Sequence, residues 1–533
     1  MKKILLSAFA CSCLLFAQAQ QNISIEAASI NPPQKLLIAE TSIARFYVDP
    51  VNEDKMVEDA IRAMLQQLDP HSTYSTPEET KALKESLQGN FDGVGVQFNM
   101  VEDTLYVIQP VVGGPSERVG ILAGDRIVTV NDTAIAGVKM SRETIMKKLR
   151  GPRDTQVKLG VVRRGVSGIM YFNVTRAKID TKSVEVAYMA TKRVGYMRIN
   201  SFGATTHDEF VAALASLQKK GMKDLILDLQ GNGGGYLKAA TDIANEFLNK
   251  GQEIVYTQGR VQSRYDHIAQ GGGRFTKGRV VVLVDETTAS AAEILSGAIQ
   301  DWDRGLIIGR RTFGKGLVQN PVELPDGSMI RLTIARYYTP SGRCIQRSYK
   351  DKKEYENDLI NRYNHGELMN KDSIHLPDSL KYETLNLKRT VYGGGGIMPD
   401  YFIGLDTTLY TKYHRDMVNK GIIINTSLRY IDKNRKQLKA SYPTFEKFEK
   451  DFEVPQATLD EMRAAGEKDS VRCTQEIFEK SLPKIKMQLK SLIARDLWDM
   501  NEYYRVFNGS NEVFLKGLEL IQAADYDKEF IQK

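Results

Sequence analysis

Cysteine is scarce in this chain: four occur in 533 residues, at Cys11, Cys13, Cys344 and Cys473. The first two fall inside a short apolar run near the start. The remaining pair of distant thiols makes no disulfide framework, and no C-x-x-C exists to hold zinc. Histidine is equally thin. His71, His207, His267, His365, His375 and His414 are scattered, and none sits in a triad-like or metal-like motif. No serine lies in a G-x-S-x-G turn. There is no basic run interleaved with aromatics, and a net charge of +7 is small for this length, which argues against nucleic acid as a partner. Past the first 19 residues no window is long and apolar enough to span a bilayer core of about 30 Å. These absences argue against a disulfide-stapled scaffold, a structural metal and an integral membrane span.

What is present reads as a globular protein, 42% hydrophobic and 26% charged. At about 100–200 residues per domain the length accommodates three or four domains. The first 19 residues have the build of an export signal. Lys2 and Lys3 form a positive start, Ile4 to Phe16 a short apolar stretch, and Ala17-Gln18-Ala19 a small-residue cleavage site. Cleavage after Ala19 implies export to a periplasm or cell envelope. Ala8-Phe9-Ala10 ahead of Cys11 is a poor lipidation signal.

From Lys35 the apolar spacing is helical, through Leu36, Leu37, Ile43 and Phe46, ending at Asp49-Pro50. A second stripe, Met56 to Leu68, ends at Asp69-Pro70. Thr76-Pro77-Glu78-Glu79 has the composition of a third helix start: a capping threonine, proline at the first position, acids in the first turn. These helices carry packing or self-association rather than chemistry. From about Leu87 the period becomes two. Strands at Leu105–Ile108, Ile127–Asn131, Val157–Arg163 and Ile169–Val174, with a helix over Ser141–Leu149, resemble a PDZ domain. The G-x-x-A-G-D-x-I-x-x-V-N run from Gly120 to Asn131 is the most specific part of that likeness. Backbone N–H groups of the Gly93-Val94-Gly95-Val96 loop can hold a C-terminal carboxylate, and the following strand edge can pair with an extended peptide.

Beyond Val194, strands alternate with helices, which argues for α/β architecture. Two strand–loop–helix units stand out. Leu225–Leu229 runs into Gln230-Gly231-Asn232-Gly233-Gly234-Gly235, and Val280–Asp285 runs into Thr287-Thr288-Ala289-Ser290 and a helix of small residues. If the strands are neighbours, both loops present N–H groups at helix starts side by side, the geometry of an oxyanion hole beside a nucleophile. Serine needs a base. With the histidines scattered, lysine is the alternative, provided burial keeps it uncharged. Lys315, between Gly314 and Gly316 and flanked by Phe313, Leu317 and Val318, suits insertion into a dry cleft. Gln319, four residues on, can orient it. Gly309-x4-Gly314-Lys315 imitates a P-loop, but Gly316 stands where a Ser or Thr must bind magnesium.

These pieces together resemble the carboxyl-terminal processing proteases, the tail-specific Ser/Lys peptidases of clan SK, family S41. They are Tyr47-Val48-Asp49-Pro50, Leu68-Asp69-Pro70-His71-Ser72, the PDZ segment, Asp228–Gly235, Thr287–Glu293, Phe313–Gln319 and Gly396-Ile397-Met398-Pro399-Asp400, in the family's order across about residues 35–405. The resemblance implies a ClpP/crotonase-like ββα protease core with a PDZ domain in series and helical N- and C-terminal regions. It implies Ser290 as nucleophile, Lys315 as general base, Gln319 as its orienting partner, and the N–H groups of Gly234 and Ala291 as the oxyanion hole. It implies no cofactor and no metal, with protein or peptide tails as substrates. In relatives a basic residue near the end of the PDZ helix couples to the active site, and Arg150 is the candidate here. The chain departs from the family at Gln230 (commonly Arg), Gly233 (commonly Pro) and Ala292 (often Ser), which bears on the loop's rigidity and one ion pair. Glu293 reads as a structural hydrogen-bonding residue. The expected division is signal peptide 1–19, helical region 20–86, PDZ domain 87–177, protease core 178–347 plus 386–408, an insertion 348–385, and a helical domain 409–533. Homo-oligomerisation through the helical regions is a further expectation. The competing reading is a catalytically silent exported PDZ adaptor or holdase.

Overall fold

The computed structural model describes residues 31–408 and 410–526. The expected export segment lies outside these residues. The chain divides between Tyr74 and Ser75 into two compact units.

The first unit carries two helices, Pro32–Phe46 and Glu53–Gln66. Each starts on an asparagine whose side-chain oxygen accepts an otherwise unpaired N–H, Asn31 from Gln34 at 3.0 Å and Asn52 from Lys55 at 2.9 Å. After the second helix Asp69 turns the chain by accepting from the N–H groups of His71 and Ser72. The helix Pro77–Gln88, grouped with these from sequence, falls in the second unit. Its start is a capping box, with Thr76 and Glu79 each accepting the other's backbone N–H.

The second unit continues with an antiparallel sheet in the order 96–101, 104–110, 126–130, 156–162, 170–175, packed against the helix Arg142–Leu149. The strand Val96–Val101 is at its edge. A two-strand ribbon, Asn90–Gly93 with Ala177–Asp180, closes this smaller domain by pairing its entering and leaving segments.

The larger domain is built on a second sheet in the order 186–189, 194–198, 224–228, 280–284, 306–309, 401–402. Only the first pair is antiparallel. The strand Val280–Val284 is buried along its whole length, as a β-branched run covered on both faces must be. Side chains alternate between the two faces. Leu225, Leu227, Val280, Val282, Val284 and Ile307 join one core with the helices at 206–219, 237–247 and 291–301. Ile226, Val281, Leu283, Leu306 and Ile308 join another, whose cover is the helix Glu512–Gln522, through Phe514 and Ile521. From sequence that helix was placed with the rest of 409–533. Instead it lies on the sheet, close enough that a Cβ on Gly517 would meet Val281 and Leu283 at 3.2 and 3.1 Å. Tyr526 seals the same face, its hydroxyl donating to Val280 O at 2.7 Å. The helices from 412 to 497 pack into a separate core around Phe448, Leu459, Ile485 and Leu489.

The polar stretch 258–278 contains the strand Tyr265–Ile268, which pairs with Glu253–Gly259. The expected insertion 348–385 forms short helices at Lys352–Glu356 and Asp358–Asn364.

Because Phe514 is buried between the last helix and the sheet, Phe514→Ala is expected to destabilise the protein by about 3–5 kcal/mol. Urea unfolding followed by circular dichroism checks this, and an unchanged midpoint contradicts the assignment of that helix to the protease core.

Candidate active site

The strand Val280–Val284 ends in a tight turn. Asp285 Oδ1 accepts from the N–H groups of Thr287 and Thr288, each at 3.0 Å. Thr288 Oγ1 donates to Leu229 O at 2.9 Å, and Ala289 N to Asn232 O at 2.9 Å. These two bonds stitch the turn to the glycine loop of the neighbouring strand, with which its own strand pairs in parallel, so the condition set from sequence is met. Ser290 comes next at φ 57°, ψ −117°, outside the regions open to ordinary residues. Strain of this kind persists only where the surroundings over-determine it. The helix Ala291–Asp301 begins immediately, so the Ala291 N–H sits at the first helical position, where no intrahelical acceptor exists.

The glycine loop is anchored at Asp228, which is buried. Its carboxylate accepts from Tyr196 Oη at 2.5 Å, Arg198 Nη1 at 2.7 Å and Gln230 N at 2.8 Å. The family's usual arginine is missing at position 230, but Arg198 on the adjacent strand brings a guanidinium to the same carboxylate. It also donates to Gln230 O at 2.5 Å. Asn232, fully buried, donates to Ile199 O at 2.8 Å. Gly234, at φ +98°, lies directly on the serine: a Cβ there would fall 2.8 Å from Ser290 Cβ. No other residue type fits that approach. The Gly234 N–H, expected in an oxyanion hole with Ala291, donates to Asn232 Oδ1 at 2.8 Å in this conformation.

Lys315 arrives on the loop between the strands Leu306–Gly309 and Leu317–Glu323. The bond between this loop and the serine is Glu293. Its carboxylate is fully buried and accepts four hydrogen bonds: from Ser290 N at 2.8 Å, Lys315 N at 2.9 Å, Gly314 N at 2.7 Å and Thr312 Oγ1 at 2.5 Å. Burial pushes its pKa up, and those four donors oppose the rise. A second brace comes from Tyr337, also buried, whose hydroxyl lies 2.5 Å from Lys315 O and 3.0 Å from Ser290 O. Burial likewise raises the Tyr337 pKa well above its ordinary value, which keeps the hydroxyl protonated. Lys315 Nζ donates to Gln319 Oε1 at 3.2 Å.

Ser290, Lys315, Gln319, Gly233 and Gly235 line one cleft of 590 Å³, whose apolar walls include Leu83, Leu87, Ile294 and Leu317. Among the described residues no histidine lines it. Leu83 and Leu87 come from the helix Pro77–Gln88, which is tied to the opposite wall by the Lys84–Glu323 ion pair at 2.7 Å. Arg150 does not line the cleft. It bonds Glu85 of that same helix at 3.2 Å and covers the Phe91 ring at 4.4 Å. In the smaller domain, Gly93 closes the ribbon strand, Val94 is buried, and Gly95 turns at φ +72° into the edge strand that starts at Val96. Sequence reasoning missed Tyr337, Asn232 and Arg198. Tyr337 and Arg198 act through neighbouring strands and leave no local mark, whereas Asn232 lies inside the glycine loop, whose spacing marks the loop but not the role of its asparagine.

A family model described as peptidase family S41 matches residues 193–352, and a PDZ domain model matches 93–174. A third, a family of unknown function, matches 413–499. The chain is 37% identical over 316 residues to the carboxy-terminal processing protease CtpA of Bacillus subtilis, a match covering 59% of this chain and 66% of the relative. It is 37% identical over 307 residues to the carboxy-terminal-processing protease of Bartonella bacilliformis, covering 56% and 69%. The chain thus spans about two thirds of the length of these relatives. Among solved structures it is similar to the photosystem II D1 C-terminal processing protease, 33% identical, covering 60% of this chain and 91% of that one with a TM-score of 0.34. The class so defined is a serine-type peptidase carrying a PDZ domain. The chain belongs to peptidase family S41, among the carboxy-terminal processing proteases.

Glu293→Gln keeps the side-chain volume but replaces one acceptor oxygen by a donor, leaving at least one buried N–H group without a partner. It is expected to cost about 1–3 kcal/mol of stability and to lower peptidase activity. Thermal unfolding and casein digestion check both, and a variant matching wild type in each contradicts the bridging role.

Proposed function

We propose that the protein is an exported endopeptidase that recognises the C-terminal tails of proteins and cleaves upstream of them with a Ser290/Lys315 dyad. The observation that carries this reading is the buried Glu293 carboxylate, which bonds the backbone of Ser290 and of Lys315 at once and sets both on one cleft. Neutral Lys315 takes the Ser290 hydroxyl proton as Oγ attacks the scissile carbonyl. The tetrahedral intermediate collapses to an acyl-enzyme as the lysine returns that proton to the leaving amine. Water, deprotonated by the same lysine, then releases the acid and restores the serine. Gln319 orients the amine. Ala291 N–H and Gly234 N–H stabilise the oxyanion. For Gly234 this exchanges the neutral Asn232 oxygen for a charged one, a stronger acceptor.

The substrate tail adds to the edge strand Val96–Val101, with its carboxylate on the N–H groups of Gly93 to Val96. Arg150 couples the PDZ domain to the cleft through Glu85 and the helix that forms its wall. Export rests on residues 1–19, with cleavage after Ala19 and residence in the periplasm or cell envelope. Among the described residues no helix is long and apolar enough to cross a membrane. The helix Pro32–Phe46 buries none of its residues and exposes Leu37 and Phe46 by 64% and 73%, which supports self-association through the helical regions.

One observation favours the silent-adaptor reading: the Gly234 N–H is already bonded. A fluorophosphonate probe separates the two, since only an activated serine is labelled. Ser290→Ala and Lys315→Ala are each expected to abolish labelling and casein cleavage while leaving the circular dichroism spectrum unchanged. Full activity in Lys315→Ala would sink the dyad. Because only the neutral amine accepts the proton, activity is expected to rise with pH until the lysine is deprotonated. A profile that falls over that range contradicts a lysine base.

A further inference from the structure

The segment 348–385 lies outside the family's common core, yet it grips the loop that carries Lys315. Arg311 of that loop is held by both oxygens of Glu367, Nε to Oε1 and Nη2 to Oε2, each at 2.7 Å. Its remaining nitrogen, Nη1, donates to Gly395 O at 2.5 Å. Arg362, from the helix Asp358–Asn364, is buried beside it. It shares Glu367 Oε1 at 2.7 Å and sends its other nitrogens into the loop backbone, Nη2 to Arg311 O at 2.6 Å and Nη1 to Thr312 O at 3.3 Å. Next along the loop, the Phe313 ring lies under the Arg347 guanidinium at 4.1 Å. That guanidinium also covers the Tyr355 ring at 3.9 Å and pairs with Asp358. Arg362 of the insertion therefore fixes the peptide carbonyls of 311 and 312 ahead of Gly314-Lys315, with Glu367 holding it in place, while Tyr355 and Asp358 of the insertion hold the Arg347 guanidinium over the intervening aromatic ring.

The opposite side of the same loop is the Glu293 carboxylate, which takes Thr312 Oγ1 and the N–H groups of Gly314 and Lys315. The loop is thus clamped between an acceptor that takes its donors and a guanidinium that takes its carbonyls. The two halves are complementary: Glu293 can accept but not donate, so it cannot hold the carbonyls of 311 and 312, which Arg362 takes. The two guanidiniums of Arg311 and Arg362 repel one another and are compatible only because Glu367 lies between them. Although burial alone would raise the Glu367 pKa, its bonds to Arg311 and Arg362 hold it below the usual carboxylate range.

We infer that the insertion is a strut for the catalytic lysine, with Arg362 and Glu367 as positioning residues that set where the Lys315 amine stands relative to Ser290. The inference rests on the Ser290/Lys315 dyad proposed for the reaction. It assigns to this segment a part in that reaction, through Lys315, without contact with the substrate.

The test is the rate at which a fluorophosphonate labels Ser290 in the full chain. It is measured as a maximal rate, kinact, and a half-saturating concentration, KI, across a pH series. Arg362→Ala is expected to lower kinact by about 10–100-fold, as a displacement near 1 Å does, with KI within about twofold of wild type. It also shifts the acid limb of the kinact profile, because the lysine no longer sits in its native surroundings. Arg362→Lys recovers part of kinact, since an ammonium reaches one carbonyl but not two and a carboxylate. Glu367→Gln, nearly isosteric, lowers kinact in the same way. A folded Arg362→Ala with wild-type kinact and pH profile overturns the strut. If that variant does not fold, folded Glu367→Gln decides, and wild-type kinact there overturns the strut equally. Lys315→Ala keeps the two readings apart. Labelling retained in Lys315→Ala removes the dyad itself. Labelling lost there but unchanged in Arg362→Ala removes only the strut.

Discussion

One buried carboxylate holds the site together. Glu293 starts a helix, and its two oxygens accept from the residue at that helix's own N-cap and from a loop about twenty residues later in the chain. A carboxylate taken out of water is costly unless its lone pairs are filled. Here four donors fill them, and every donor belongs to a segment that must be placed to within a fraction of an ångström. The desolvation that raises its pKa is the same condition that makes its bonds strong. The strained Ser290 backbone is held by this bond from one side, by the Gly234 backbone from a second and by the Tyr337 hydroxyl from a third.

The glycine loop shows how a departure in local sequence is absorbed by tertiary structure. Gln230 brings no charge to the loop. Arg198 stands opposite Asp228 in the parallel register, so the guanidinium is delivered across the sheet instead of along the chain. The ion pair is buried, and its arginine also bonds the carbonyl of the residue whose side chain changed. Rigidity expected of a proline at 233 is supplied by Asn232, which bonds Ile199 on one side and Gly234 on the other.

Much of this was legible in the chain because its signals are short-range. The cap at Thr76, the period-two runs of the smaller domain and the glycines at 234 and 314 each act within a few residues, and the structure places them where their spacing requires. Ser290, Lys315 and Gln319 were found by motif and do share a cleft. What escaped acts over distance. Tyr337 sits in an ordinary alternating strand, and only the fold brings its hydroxyl to two backbone carbonyls. Arg362 and Glu367 lie in a charged segment without periodicity, so their partners at 311 and 312 leave no local trace. The helix Glu512–Gln522 has the same apolar spacing as the helices before it, and spacing cannot say which surface a stripe will meet.

That last helix has a consequence for how the molecule comes into being. The bond from Tyr526 to Val280 closes a span of 246 residues. Until the chain has been synthesised through that helix, the sheet has one bare apolar face and behaves as an incomplete, aggregation-prone intermediate. The strands that carry the two active loops are the ones left bare. The protease core therefore cannot close over its sheet before that helix has been made: the timing of its completion is written into the order of its segments.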